Sequence, residues 1–252
     1  MEFDEIWSDL SSLETFDPAV FIGDNETPQY VCNLILALAL VLNDLRDTIY
    51  VQAFLDDRLK DLTAVSQKRG QLCGLDTVIT RILAGVIDEL LRLIRKNKNI
   101  INHPAFAKLV NKISSKGRAS WNSLKKAAYE SAHGKNSSDP LVKALWTIRN
   151  KLAFHYDAGE LFIGYSKFFV SGKEPYISRV SAGGKLLRQF RFYFADAAAQ
   201  KYIKEITDSE PIVEDFFSGR PSLLDDVIQA LYDLVVAFPA SRGFAWRAHT
   251  EL

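Results

Sequence analysis

Two long stretches of this chain, residues 28–62 and 67–97, repeat their apolar side chains at helical spacing. In the first, Leu34, Leu38, Val41, Leu42, Leu45, Ile49 and Leu59 recur three or four positions apart. In the second, the stripe is Leu72, Leu75, Ile79, Ile82, Val86, Leu90 and Leu93. Such a period lines one face of an α-helix and is incompatible with a strand. Helices of this length must pack against other helices, so the fold class is mainly α. Thr27 caps the first stretch, with Pro28 at its first helical position. Shorter helical patterns follow from His103-Pro104 to Ile113, from Ala119 to Ala132, and from Pro140, capped by Asp139, to Tyr156. Gly159 then reads as a C-terminal glycine. Two more run from Ala195 to Ile206 and from Ser222 to Phe238.

Between these helices, residues 161–170, 176–181 and 186–194 are rich in aromatic and β-branched side chains and punctuated by glycines. They predict a small antiparallel β-meander within 161–194. Residues 1–27 read as an acidic, weakly structured arm anchored by Trp7, Phe16 and Phe21. Residues 28–252 read as one helical domain carrying the meander and the C-terminal helices, because no repeat or linker interrupts them.

The formal net charge is zero, yet the charges are segregated. Residues 1–45 hold nine acids and no Lys or Arg; residues 91–129 hold ten Lys or Arg and no acid. Residues 205–233 hold eight acids against Arg220. Either the blocks neutralise one another inside the fold, or the basic block faces a polyanion such as RNA.

Cys32 and Cys73 each lie in an apolar-periodic stretch and read as buried free thiols, which points to the reducing cytoplasm. The opening Met-Glu-Phe-Asp-Glu has no positive charge of the kind that starts a secretory signal. The most apolar run, Val31 to Leu42, is 12 residues long, short of the roughly 20 a bilayer demands. No membrane association is expected. There is no P-loop, Gly-x-Gly-x-x-Gly or nucleophile elbow, and His103, His133 and His249 lack metal-ligand spacing. Neither a metal nor a cofactor is expected.

The segment from Leu141 to Tyr156 carries the chemistry. Leu141, Leu145, Ile148, Leu152 and His155 form one helical stripe, and Val142, Trp146, Arg149, Ala153 and Tyr156 an adjacent one. Two apolar stripes imply a wide buried face, which predicts a two-fold dimer through this helix. An inward-facing Arg149 needs a counter-charge or an anion. His155, in the last turn, is the side chain most easily poised for proton transfer near neutral pH.

Arg149-Asn150-Lys151-Leu152-Ala153-Phe154-His155 resembles the signature of HEPN domains, an Arg followed by a polar residue and then, here with five residues between, a His. The resemblance covers about residues 28–160. It implies an antiparallel helical bundle and a metal-independent endoribonuclease of the toxin, antiviral-defence or RNA-processing kind, acting as a homodimer and, in a toxin, paired with an antitoxin. In that chemistry His155 is general base or acid, Arg149 holds the non-bridging phosphate oxygens, and Asn150 orients either or holds a phosphate. The rival reading is a non-catalytic HEPN-like module that binds a protein or nucleotide. In it, Arg149 is a buried ion-paired residue and His155 a packing residue.

Overall fold

The computed structural model describes residues 14–15, 17–60, 62, 67–153, 157–171, 180–182, 190–208, 213, 223–244 and 247–248. They are almost entirely helical, as the periodicity predicts. The helices are α1 (Gln29–Lys60), α2 (Gln67–Lys96), α3 (Lys98–Ile101), α4 (Pro104–Lys112), α5 (Ser115–Glu130), α6 (Pro140–Ile148), α7 (Ala158–Tyr165), α8 (Tyr193–Thr207) and α9 (Leu223–Ser241). The chain forms two compact units: residues 1–47, 89–132 and 221–252 make one, and residues 48–88 and 133–220 the other. Helices α1 and α2 each supply a segment to both. No described helix is long and apolar enough to cross a membrane.

In the first unit, α9 packs on α4 and α5. Phe106, Trp121, Leu124, Leu231, Leu234 and Phe238 form a buried core with Val31, Ile35, Leu38 and Leu45 of α1. His103 caps α4, its Nδ1 accepting from the Ala105 N–H at 3.2 Å, and Ser114 caps α5 at the Gly117 N–H at 2.9 Å. Helix α5 presents small residues, Gly117 and Ser120, to the acids of α9. The Ser120 hydroxyl donates to Asp226 at 2.6 Å and the Ser114 hydroxyl to Asp233 at 2.5 Å. Part of the C-terminal acidic block is thus taken up by hydroxyl groups of α5 rather than by lysines. Arg92 pairs with Glu89, and Lys108 with Glu26.

The N-terminal region is tied down from the other end of the chain. Helix α9 closes in a Schellman motif: Gly243 adopts φ +80°, and the Phe244 N–H reaches the Pro239 carbonyl at 3.0 Å. That turn places Arg242, which donates to the Val20 carbonyl and to Asp24 and lies 3.5 Å from the Cys32 sulfur. Phe21 stacks on Phe238 at 5.4 Å between centroids; Trp7 and Phe16 lie outside the described residues. Residues 14–15 (β1) pair antiparallel with 247–248 (β4). Burial raises the pKa of the Cys32 thiol, and also that of Cys73, consistent with inert free cysteines.

The second unit corrects the β-meander. Residues 161–170 are helical: α7 and a π-helical turn over Ser166–Val170. Residues 180–182 (β2) pair antiparallel with 190–192 (β3), and Tyr193 already starts α8. The remaining residues of the two later segments, 176–179 and 186–189, lie outside the described residues. Two causes override the strand propensity of Leu-Phe-Ile and Phe-Phe-Val. Asp157 caps α7 at the Gly159 and Glu160 N–H groups, so Gly159 sits in a first turn and does not end the previous helix. Gly164 then lets α7 settle directly on α8. A Cβ at that position would lie 2.0 Å from the Ala198 carbonyl oxygen. Lys167 and Lys201 both reach Glu205 at 2.7 Å and hold its carboxyl down at about 2.

The α2 stripe also needs a correction. Leu75 and Ile82 are exposed, and the buried face is Leu83, Ala84, Ile87, Leu90, Leu91 and Ile94, with Asp88 among them. The first turns of α2 hold Gly70 and Gly74 against Tyr193 and Arg191, so glycines rather than leucines mark the packed face there.

Gly164→Ala is expected to destabilise the protein by about 2–3 kcal/mol, because a backbone carbonyl cannot move aside as a side chain can. Gly159→Ala, in the exposed first turn of the same helix, should be neutral or mildly stabilising. Urea unfolding of both variants checks this; equal midpoints would refute the close approach.

Candidate functional site

Asp139 starts α6 as expected, accepting from the Leu141 and Val142 N–H groups at 2.9 and 3.1 Å, with Pro140 in the first turn. Regular α-helix stops at Ile148. Residues 149–153 continue as a π-helical turn, so the motif begins where the helix changes period. A π-turn inserts an extra residue, and such turns occur often at functional sites. It also shifts the phase of the helix beyond Arg149, although Leu152 stays buried as its stripe predicts. Phe154, His155 and Tyr156 lie outside the described residues.

Leu141, Val142, Leu145, Ile148 and Leu152 are all buried within the chain. The wide apolar face predicted as a dimer contact is therefore already covered in the protomer. A dimer has to use other surface.

Arg149 faces inward and finds its counter-charge on α2. Its Nε lies 3.7 Å from Oδ2 of Asp88, with the two side chains 18% and 2% exposed. Its Nη1 donates to Oδ1 of Asn150 at 2.8 Å. Asn150 in turn donates from Nδ2 to the Trp146 carbonyl at 2.7 Å, one turn back along the chain. Asn150 is thus an orienting residue for Arg149. Seven residues before Asp88 on the same face of α2, Arg81 donates to the Leu152 carbonyl at 3.1 Å. Helix α2 fixes the π-turn at both ends, at a guanidinium and at a carbonyl.

Lys151 belongs to a neighbouring cluster. Its ammonium lies 2.6 Å from Asp157 and 3.9 Å from Glu160. The hydrogen bond to Asp157 raises the lysine pKa, and the same bond lowers that of Asp157. The Tyr202 hydroxyl is pushed well above its usual range by burial and by its bond to Glu160. This cluster fixes the chain on both sides of residues 154–156.

Of the three predicted site residues, Arg149 and Asn150 are in direct contact, and His155 lies outside the described residues. Sequence reasoning missed Asp88 and Arg81. Asp88 had a visible signal, a carboxylate within the apolar run 82–94. Arg81 had none, since an Arg at a helix surface is ordinary. Among the other histidines, His103 is a helix cap, His133 is exposed, and His249 lies outside the described residues. Among the described residues no three His, Cys, Asp or Glu side chains gather as metal ligands would.

The arrangement presents a fixed guanidinium at a helix end, one edge against a carboxylate and one nitrogen on an amide. Such a group can donate to a phosphate without first being ordered, which is how preorganised charge lowers a barrier. Comparison with protein-family models, with curated proteins and with solved structures finds no match.

Proposed function

We propose that this chain is a HEPN-like endoribonuclease that cleaves RNA by attack of the 2′-OH without a metal. The observation that carries the reading is the placement of Arg149 and Asn150 on a π-turn, with the guanidinium held by Asp88 and Asn150. Arg149 binds the non-bridging oxygens and stabilises the charge that builds on the phosphorane. His155 moves the proton. The 2′-oxygen bonds to phosphorus as its proton leaves to a base, the bond from phosphorus to the 5′-oxygen breaks, and that oxygen takes a proton from an acid. The product ends are a 2′,3′-cyclic phosphate and a 5′-hydroxyl.

One His cannot be base and acid at once, so the reading calls for a two-fold dimer with two motifs in one cleft. Static light scattering at micromolar concentration should give twice the 28.4 kDa chain mass. A monomer would count against the paired site.

A second reading is favoured by a specific observation. Arg149 is mostly buried and already paired within its own protomer. A structural ion pair of this kind suits a non-catalytic helical module that binds a protein or nucleotide. Incubation of RNA with the protein in excess chelator separates the two.

A further inference from the structure

We infer that the first unit carries a surface for single-stranded RNA, centred on Tyr129 and built by the C-terminal end of α5 with the α2–α3 junction. From the ribonuclease reading this borrows only the class of ligand; none of its residues belongs to the Arg149 site. Tyr129, in the last turn of α5, is 38% exposed, so part of its ring is open to a ligand. Lys98 places its ammonium 5.6 Å from the ring centroid. Lys125 and Lys126 stand four and three residues earlier on α5, one turn from the ring. Arg95 reaches Ser131, two residues beyond Tyr129, at 3.1 Å, and Lys96 follows it, exposed. Lys98 thus meets the ring directly, and Lys125 and Lys126 flank it one turn away on α5. No acid occurs between residues 91 and 129, and the next one along the chain, Glu130, is half-buried.

Cations at helix C-termini are common because they oppose the negative end of the helix dipole. That accounts for Arg95 and Lys96, in the last turn of α2. It does not account for Lys125 and Lys126, which stand ahead of the last turn of α5, or for the exposed ring beside them. Cations interleaved with an exposed aromatic fit a polyphosphate whose bases are free to stack. A base lies on the open part of the Tyr129 ring, and Lys98 and Lys126 meet the flanking phosphates. A duplex keeps its bases stacked inward and offers the ring no partner. The surface therefore selects single strands.

The probe is a 2′-O-methyl 20-nucleotide strand, alone and as a duplex, read by fluorescence anisotropy. It has no 2′-OH to attack, so the assay is blind to cleavage. The single strand should bind at least about tenfold tighter than the duplex. Tyr129→Ala should weaken single-strand binding by about tenfold, and Tyr129→Phe should restore it, as loss of one stacked base requires. Lys98→Gln with Lys126→Gln should flatten the dependence of log affinity on log salt by about 0.7 per lysine. Circular dichroism checks the fold of each variant, and the lysine pair at exposed positions serves if Tyr129→Ala misfolds. Equal affinity for the duplex, an unchanged Tyr129→Ala, an unchanged salt slope, or no binding at low salt would each overturn the surface. Cleavage without this binding would sink the surface alone; binding without cleavage would sink the ribonuclease reading alone.

Discussion

Asp88→Ala should lower stability by about 3 kcal/mol, because it removes the buried carboxylate that lies 3.7 Å from the mostly buried Arg149 guanidinium. In a chain of this size that is a fall in Tm of roughly 6–12 °C. Asp88→Asn should cost less, since the amide keeps the size of the side chain and a polar oxygen facing Arg149. Arg149→Ala leaves the opposite partner buried and should also destabilise. The double variant, lacking both charges, should be more stable than the sum of the two single losses predicts. A coupling of about 1–3 kcal/mol is expected for residues in one buried network. Simple additivity would mean that the 3.7 Å approach contributes nothing. The same pair links fold to function. If Asp88 sets the position of Arg149, Asp88→Asn should lower RNA cleavage even at temperatures where the protein remains folded.

How far the sequence reveals this molecule depends on which force decides each element. The two longest helices were legible to within about two residues because a sustained helical period fixes them, and the start of α6 at Pro140 was legible from its Asp139 cap, whereas its end at Ile148 was not. The segment 161–170 was misread because its side chains favour strands. Its conformation is decided instead by Asp157 at one end and by Gly164 against α8, a contact more than thirty residues away in sequence. The α2 stripe was misread where glycines, not leucines, make the packed face. Within the site, Arg149 and its need for a partner were legible from the helical stripe alone. The partner was not. Asp88 lies 61 residues earlier, and only the packing of α2 against the π-turn selects it over the many acids of the N-terminal segment. The π-turn itself was invisible, because no residue type demands it.

The proposed reaction uses Arg149 and His155 as a metal-independent RNA-cleaving pair. It is tested most directly by total RNA incubated in excess chelator with wild type, Arg149→Ala and His155→Ala, the product ends being identified. Wild type should cleave and leave 2′,3′-cyclic phosphates, and a substrate with 2′-deoxyribose at the scissile nucleotide should resist. Each variant should be slower by roughly 10²-fold or more, the usual loss on removing a general acid–base or an oxyanion donor. His155→Ala is the sharper of the two, since Arg149→Ala also breaks the pair with Asp88. Equal cleavage by wild type and His155→Ala, or no cleavage by wild type, would contradict the account and leave Arg149 and Asp88 as a structural ion pair of a binding module.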